Sequence, residues 1–139
     1  MSIVIPKFGK VMVIDDNNID LYITSRMILK NHFALELLQY YTATEALEYL
    51  SQNQDNATAW PDIIFTDLYM PIMSGFEFME SFSRLPGALK AHCRTFVLSS
   101  SIDDNDIIRA ANDENIEDFH EKPITVKFLE NINPRSISS

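Results

Sequence analysis

The sequence predicts an α/β fold in which a parallel β-sheet carries helices on both faces. Five short apolar runs alternate strictly with segments of helical periodicity along the 139 residues. The apolar runs are continuous, which is typical of strands buried on both faces. Strands joined by right-handed helical crossovers lie parallel and leave helices on either side, so the alternation itself favours this class. The length is that of one ordinary domain.

The composition is that of a globular protein and excludes several classes of function. Apolar residues make up 46% of the chain and charged residues 22%, an ordinary balance. The net charge of -9 disfavours nucleic-acid binding, which needs clustered Lys and Arg. No apolar run approaches the roughly 20 residues of a membrane span, and the N-terminus lacks a secretory signal. The single cysteine, Cys93, cannot form an internal disulfide, so we expect a soluble, cytoplasmic protein that binds neither nucleic acid nor membrane.

The first unit begins with the run VMVID at residues 11–15, which predicts a strand ending in acid. A helix follows over residues 18–32, with Asn17 or Asn18 as its N-cap. Three apolar residues form the stripe that we expect to face the sheet: Ile19, Ile23 and Met27.

The second unit begins with a predicted strand over residues 36–41. Thr42 or Thr44 then opens a helix, since Thr favours the N-cap position. The inward stripe has the spacing i, i+3, i+4, i+7 and consists of Ala43, Ala46, Leu47 and Leu50. A polar loop over 51–61 closes the unit.

The third and fourth units follow the same pattern. Residues 62–67 predict the third strand, and a loop over 68–75 contains a Pro and a Gly. The next helix ends before Pro86, and its apolar positions are Phe76, Met79 and Phe82.

The fourth strand is expected over residues 95–100 and its helix over 103–114. The residues of that helix expected to face inward are Ile107, Ala110 and Ala111.

The fifth unit is the shortest. A strand over residues 116–121 leads through Lys122-Pro123 into a last helix. The apolar positions of this helix are Val126, Leu129 and Ile132. Residues 134–139 are polar and are expected to form a flexible tail.

Chemically complementary side chains follow four of the five strands. They are Asp15 and Asp16 after the first strand, Asp67 after the third, Ser99 to Ser101 after the fourth and Lys122 after the fifth. Ligands of parallel α/β sheets bind beyond the carboxyl ends of the strands, so these groups should converge on one edge. Crowded carboxylates repel one another unless a cation joins them, and oxygen ligands suit Mg²⁺. Such a set suits phosphoryl chemistry, in which an Asp can be the nucleophile.

The ordered motifs resemble the receiver domain of two-component response regulators, of the single-domain chemotaxis-regulator type. They are VIDD at 13–16, FTDLYMP at 65–71 with Gly75 downstream, VLSS at 97–100, and KP at 122–123. The resemblance extends over residues 9–133 and implies a flavodoxin-like (βα)5 fold with strand order 2-1-3-4-5. It implies a single receiver domain over residues 1–139.

The resemblance also implies roles for individual residues. Asp67 would be the phospho-acceptor, and Lys122 would pair with the phosphoryl group. Asp16 would bind Mg²⁺ directly and Asp15 mainly through water. Asp67 and the backbone carbonyl of Tyr69 would complete the protein ligands of the metal.

The switch residues are assigned by the same resemblance. Ser99 would be the switch hydroxyl, with Ser100 as the less favoured alternative. The choice of Ser99 requires an extra residue in the loop near 112–116. Phe119 occupies the position of the switch aromatic residue and lacks a hydroxyl, so packing alone would distinguish its rotamers.

The implied function is that of a signalling switch. A sensor histidine kinase or a phosphotransfer protein would donate the phosphoryl group to Asp67, and an unknown protein would be the downstream target. The chain would support its own phosphorylation and dephosphorylation without being a conventional enzyme. We expect no output domain in this chain, and we expect a monomer or a weak dimer. The ring of Tyr69, two residues past the acceptor, should slow loss of the phosphate.

Three alternatives stay open at this point. A flavodoxin-like FMN binder would need a hydroxyl- and Gly-rich loop where Asp15 and Asp16 stand. A dehalogenase-type phosphatase would need an Asp where Tyr69 stands. A degenerate receiver would act only as a phosphorylation-independent interaction module.

Overall fold

The computed structural model describes residues 4–135, which contain five strands and six α-helices; one helix follows each strand except the third, which is followed by two. The strands are β1 (Phe8–Ile14), β2 (Ala34–Tyr40), β3 (Ile63–Asp67), β4 (Arg94–Ser99) and β5 (Ile116–Glu121). The helices are α1 (Asn18–Lys30), α2 (Ala43–Gln52), α3 (Gly75–Phe82), α4 (Gly87–His92), α5 (Asp104–Ala111) and α6 (Val126–Glu130). All strand pairs are parallel and the order is β2-β1-β3-β4-β5. The predicted fold class and strand order are confirmed.

The sheet separates two apolar layers. Helices α2 to α5 contribute to one layer, and α1 and α6 contribute to the other. Every residue of the central strand β3 is buried, because helices cover both of its faces. In the residues from 4 to 135, no helix is both long and apolar enough to cross a bilayer.

The predicted strands and helices are found, with shifted boundaries. Strands β1 and β2 start earlier than predicted because Phe8 pairs with Ala34, and the exposed Gly9 and half-buried Lys10 interrupt the apolar signal there. The N-caps are Asn17 and Thr42, each the first of its two candidates. Helix α4, which buries Leu89, was not predicted. The predicted tail over 134–139 lies outside the described residues from position 136 onward.

The predicted inward stripe of α1 is wrong for Ile19 and Ile23, while Met27 is partly buried against the apolar layer as predicted. Ile19 is 69% exposed and Ile23 is 40% exposed. The face that packs on the sheet instead consists of Leu21, Thr24, Ser25 and Ile28. The predicted face and the buried face both have helical spacing. The buried face is less apolar in sequence because it includes the hydroxyl residues Thr24 and Ser25. Packing of Leu21 and Ile28 into the apolar layer decides the orientation.

The inward stripes of α5 and α6 are only partly confirmed. Ala110 is the one buried residue of α5, while Ile107 and Ala111 are exposed. Helix α5 packs mainly on β5 at the edge of the sheet, so much of its circumference faces solvent. In the last helical segment Leu129 and Ile132 are buried as predicted and Val126 is exposed. Phe128 is buried there instead, stacked on the ring of His120.

A β-bulge in β5 accounts for the spacing between the fourth strand and Lys122. Thr95 pairs with Ile116 and Phe96 pairs with Asp118, so Glu117 is an extra residue without a partner in the register. The described structure thus has one unpaired residue inside β5, and the extra residue expected in the loop near 112–116 stays a prediction.

The carboxylate of Glu117 stabilises this bulge. It accepts two hydrogen bonds from Arg94, at 2.8 Å from Nε and 2.7 Å from Nη2. Nη1 of Arg94 also donates to the carbonyl of Asn133 at 2.6 Å. The hydrogen bonds and charge of Arg94 lower the pKa of Glu117 below its ordinary value, against the effect of burial. The pair joins β4, the bulge and the segment after α6.

We expect Glu117→Gln to lower the free energy of unfolding at neutral pH by about 0.5 to 1 kcal/mol, the range for a partly exposed ion pair. Because the folded-state pKa is lowered, the pair stabilises the fold above the ordinary pKa of Glu. That stabilisation is lost as pH falls through the folded-state pKa. Urea unfolding at a series of pH values should therefore show the variant and wild type converging in acid. Glu114→Gln, in the preceding exposed loop, is the control, and a pH-independent difference would contradict this account.

Candidate functional site

The predicted site residues meet at the end of the sheet where the carboxyl termini of the parallel strands lie. Asp15 follows β1, Asp67 ends β3, Ser99 ends β4 and Lys122 follows β5. One carboxylate oxygen from each of Asp15, Asp16 and Asp67 lies within 4.8 Å of the other two. Asp15 and Asp67 are buried, and Asp16 is exposed. The parallel sheet thus brings together an acidic pocket from residues 52 positions apart in sequence.

The ammonium group of Lys122 lies among three carboxylates. Its Nζ is 2.6 Å from Oδ2 of Asp15, 3.0 Å from Oδ1 of Asp67 and 3.1 Å from Oδ2 of Asp20. The lysine side chain is only 9% exposed. A buried charge needs this kind of pairing, because desolvation without it is expensive.

Asp20 was not identified from the sequence. It lies in the first turn of α1, where its backbone amide donates to the side chain of the N-cap Asn17 at 3.0 Å. The only sign of it in the sequence was its position, as an acidic residue in the first helical turn after the strand that leads to Asp15. Such residues usually interact with the helix dipole, so the pattern alone did not indicate contact with Lys122.

The electrostatics of the pocket follow from burial. Burial and, second, the charge of Asp15 raise the pKa of Asp67 to about 6, against the opposing effect of Lys122. Burial also raises the pKa of Asp15, although its hydrogen bond with Lys122 acts in the other direction. Burial acts against the charge on Lys122, but hydrogen bonds with the two aspartates raise its pKa above the ordinary value. The described pocket therefore holds more negative than positive charge.

This donor set fits a hard divalent cation. The acidic triad offers oxygen ligands only, within the span of one ion, and its mutual repulsion would be relieved by a positive charge. The triad could therefore hold a metal. The fourth predicted ligand, the carbonyl oxygen of Tyr69, belongs to the loop that leaves Asp67, and its role stays a prediction.

The loop after Asp67 is held close to the N-terminus of α3. Gly75 donates its amide to the carbonyl of Leu68 at 2.8 Å. Ser74 and Glu77 form a reciprocal capping box that fixes the start of the helix. A Cβ atom at Gly75 would lie 2.5 Å from the carbonyl oxygen of Asp67 and 3.0 Å from Cα of Leu68. The helix can approach β3 this closely only because position 75 has no side chain.

The two candidate switch serines lie in different environments. Ser99 is fully buried, and its Oγ accepts a hydrogen bond from the amide of Ser101 at 3.3 Å. The amide of Lys122 donates to the carbonyl of Ser99 at 2.7 Å, which ties β4 to the lysine. Ser100 is exposed. Phe119 is half-buried against the layer formed by α2 to α5.

Tyr69 connects the loop after Asp67 with α5. Its hydroxyl donates to the carboxylate of Asp106 in the first turn of that helix. This hydrogen bond, more than burial, raises the pKa of Tyr69. Tyr69 is 55% exposed.

Comparison with known proteins identifies the class of the molecule. The model of the response regulator receiver domain family matches residues 11–132. The chain belongs to this family. A receiver domain is a phospho-acceptor and not a conventional enzyme, and the pocket of Asp15, Asp16 and Asp67 is consistent with a phosphorylation-dependent two-component switch. The family implies a histidine kinase partner.

Individual relatives agree with this assignment. A two-component response regulator from Cytophaga hutchinsonii is 27% identical with a TM-score of 0.84, over 90% of this chain and 93% of that chain. A response regulator receiver protein from Dyadobacter fermentans is 32% identical with a TM-score of 0.77, over 87% and 91%. A curated relative from Arabidopsis thaliana, named as two-component response regulator ARR13, is 35% identical over 80 residues. That alignment covers 57% of this chain but only 13% of the plant protein. Because the chain belongs to the receiver family, we set aside the two alternatives of a flavodoxin-like FMN binder and a dehalogenase-type phosphatase.

We expect Gly75→Ala to lower the free energy of unfolding by roughly 1 to 3 kcal/mol, because the new Cβ would force apart two backbone segments. Gly87→Ala is the matched control, since a Cβ there meets nothing within 4 Å. Its stability should be unchanged or raised by up to about 1 kcal/mol. Urea unfolding of both variants measures the difference. Equal stability of the two variants would show that the backbone near position 75 can accommodate a Cβ atom without loss of stability.

Proposed function

We propose that Asp67 accepts a phosphoryl group from a phosphohistidine and that the chain acts as a phosphorylation-dependent switch. The observation that carries this proposal is the contact of the Lys122 ammonium with the carboxylates of Asp15 and Asp67. It leaves a paired cation next to the acceptor oxygen, where negative charge accumulates during phosphoryl transfer. The donor would be a sensor histidine kinase or a phosphotransfer protein.

In the reaction, a carboxylate oxygen of Asp67 forms a bond to phosphorus while the bond between phosphorus and the histidine nitrogen breaks. The electron pair of the broken bond stays on the imidazole, and the product is an acyl phosphate. Lys122 would donate a hydrogen bond to a phosphoryl oxygen and offset part of its charge. Positioning and charge, not a separate acid or base, would supply the rate acceleration.

Mg²⁺ is the proposed cofactor. Asp15, Asp16, Asp67 and the backbone carbonyl of Tyr69 would hold it. When bound, it would supply positive charge beside the phosphoryl oxygens. The oxygen-only donor set supports a hard cation of this kind.

For the switch, we propose Ser99 as the hydroxyl that responds to the phosphoryl group and Phe119 as the aromatic residue that changes its packing. Burial of Ser99 at the end of β4 and its backbone link to Lys122 support this assignment over the exposed Ser100. The added charge would shift an existing equilibrium of the loops at this edge, and thereby binding of a downstream protein.

We also propose one receiver domain over residues 1–139 with its core over 9–133. We propose a cytoplasmic location and a monomer or weak dimer, without nucleic acid or membrane as partners.

The first test is intact mass spectrometry after incubation with Mg²⁺ and acetyl phosphate. We expect a labile phosphate on wild type that requires the metal and is absent from Asp67→Asn, because the amide lacks the nucleophilic oxygen. Asp55→Asn, which changes the same charge in the exposed loop at the other edge of the sheet, should be phosphorylated like wild type.

Two outcomes would contradict the proposal. Phosphorylation of Asp67→Asn would place the acceptor elsewhere. The absence of phosphate on wild type with any donor, a phosphorylated kinase included, would favour the interaction-only alternative. In the same assay Ser99→Ala should change the rate at which the protein is phosphorylated. Ser100→Ala should leave that rate unchanged.

Tyr69→Asn should lose its phosphate faster than wild type, by roughly three- to tenfold, or about 1 kcal/mol of barrier. The ring, held by Asp106, would cover part of the approach of water to phosphorus, and Asn is too short to do so. The decay of the phosphorylated mass over time measures the rate. Tyr22→Asn, which removes another exposed tyrosine, is the control. An unchanged decay rate in Tyr69→Asn would show that the ring does not protect the phosphate.

A further inference from the structure

The ammonium of Lys122 is already engaged by carboxylates, through hydrogen bonds to Asp15 and Asp20 and an ion pair with Asp67. An ammonium group has three N–H donors, and three carboxylate oxygens lie within 3.1 Å of Nζ, from Asp15, Asp67 and Asp20. If Lys122 is to donate to a phosphoryl oxygen, it must release one of these contacts.

Asp20 is the partner that Lys122 can release most easily. The side chain of Asp15 is 3% exposed, and its other oxygen accepts from the amide of Asn17 at 3.0 Å. Asp67 is 9% exposed and would itself carry the phosphoryl group. The side chain of Asp20 is 35% exposed, so water can replace the ammonium. Loss of this contact therefore leaves no buried unpaired charge.

The surroundings of Asp20 allow it to move. A cleft of about 270 Å³ lies between α1 and the segment after β5. Its lining includes Asp20, Lys122 and Pro123. The backbone of Asp20 stays fixed by the side chain of Asn17, so only the carboxylate would swing into the cleft.

We propose that Asp20 is a positioning residue that holds Lys122 away from the incoming phosphoryl group and thereby limits how readily Asp67 is phosphorylated. The proposal rests on the function proposed above. Asp20 competes for the ammonium as a hydrogen-bond acceptor, and its charge adds to the repulsion that a phosphoryl donor meets at the acidic pocket. Removal of that charge should favour phosphorylation.

The test compares Asp20→Asn with Asp20→Glu, which keeps the charge and can still reach Lys122. Each full-length variant is incubated with acetyl phosphate at saturating Mg²⁺, and the initial rate of phosphorylation is followed by intact mass. We expect Asp20→Asn to react about fivefold faster than wild type, and Asp20→Glu to react like wild type. The advantage of Asp20→Asn should shrink as ionic strength rises, which a purely structural effect would not do.

Asp55→Asn is the charge control, because it makes the same change at the opposite edge of the sheet. Urea unfolding verifies that all variants are folded. Equal or slower phosphorylation of Asp20→Asn would overturn the proposal, as would a rate in Asp20→Glu as fast as that of Asp20→Asn. If wild type itself accepts no phosphate, the proposed function fails and this proposal fails with it. Phosphorylation of wild type with an unchanged rate in Asp20→Asn overturns the role of Asp20 alone.

Discussion

The ammonium of Lys122 lies between the buried carboxylates of Asp15 and Asp67, and the chemistry of the site depends on this contact. Burial raises the pKa of both carboxylates, and the charge of Asp15 raises the pKa of Asp67 further. The lysine offsets part of that effect and is itself tolerated in a buried position only because the aspartates are there. Each group therefore requires the others, which makes the cluster one unit.

Two backbone features place this unit with the accuracy that hydrogen bonds need. The bulge at Glu117 adds one residue to β5, so that the amide of Lys122 meets the carbonyl of Ser99. The absent side chain of Gly75 lets α3 approach the carbonyl of Asp67. Both features act from outside the pocket, since neither residue belongs to the acidic cluster.

The sequence was sufficient for the fold class and for the groups at the strand ends. Buried parallel strands are continuous apolar runs, and chain direction alone brings their last residues to one edge, so Asp15, Asp67 and Lys122 could be placed together without coordinates. The inward face of α1 could not be predicted, because Ile19 and Ile23 match helical spacing as well as the true face does. The bulge and the role of Asp20 depend on pairing and distance across elements, which local sequence does not encode.

The charge balance of the pocket explains how one site can both receive a phosphoryl group and report its presence. The described pocket contains four carboxylates, three of them in contact with its single lysine, so these residues alone leave the pocket negative. A divalent cation would offset this charge, and a phosphoryl group would add to it and compete for the same ammonium. On the proposed function, the phosphoryl oxygens would take part of the ammonium from Asp20, which lies on α1, while Asp15 would keep its buried contact. The phosphoryl group would thereby change contacts between α1 and the segment after β5, which is the kind of local electrostatic change on which a switch can be built.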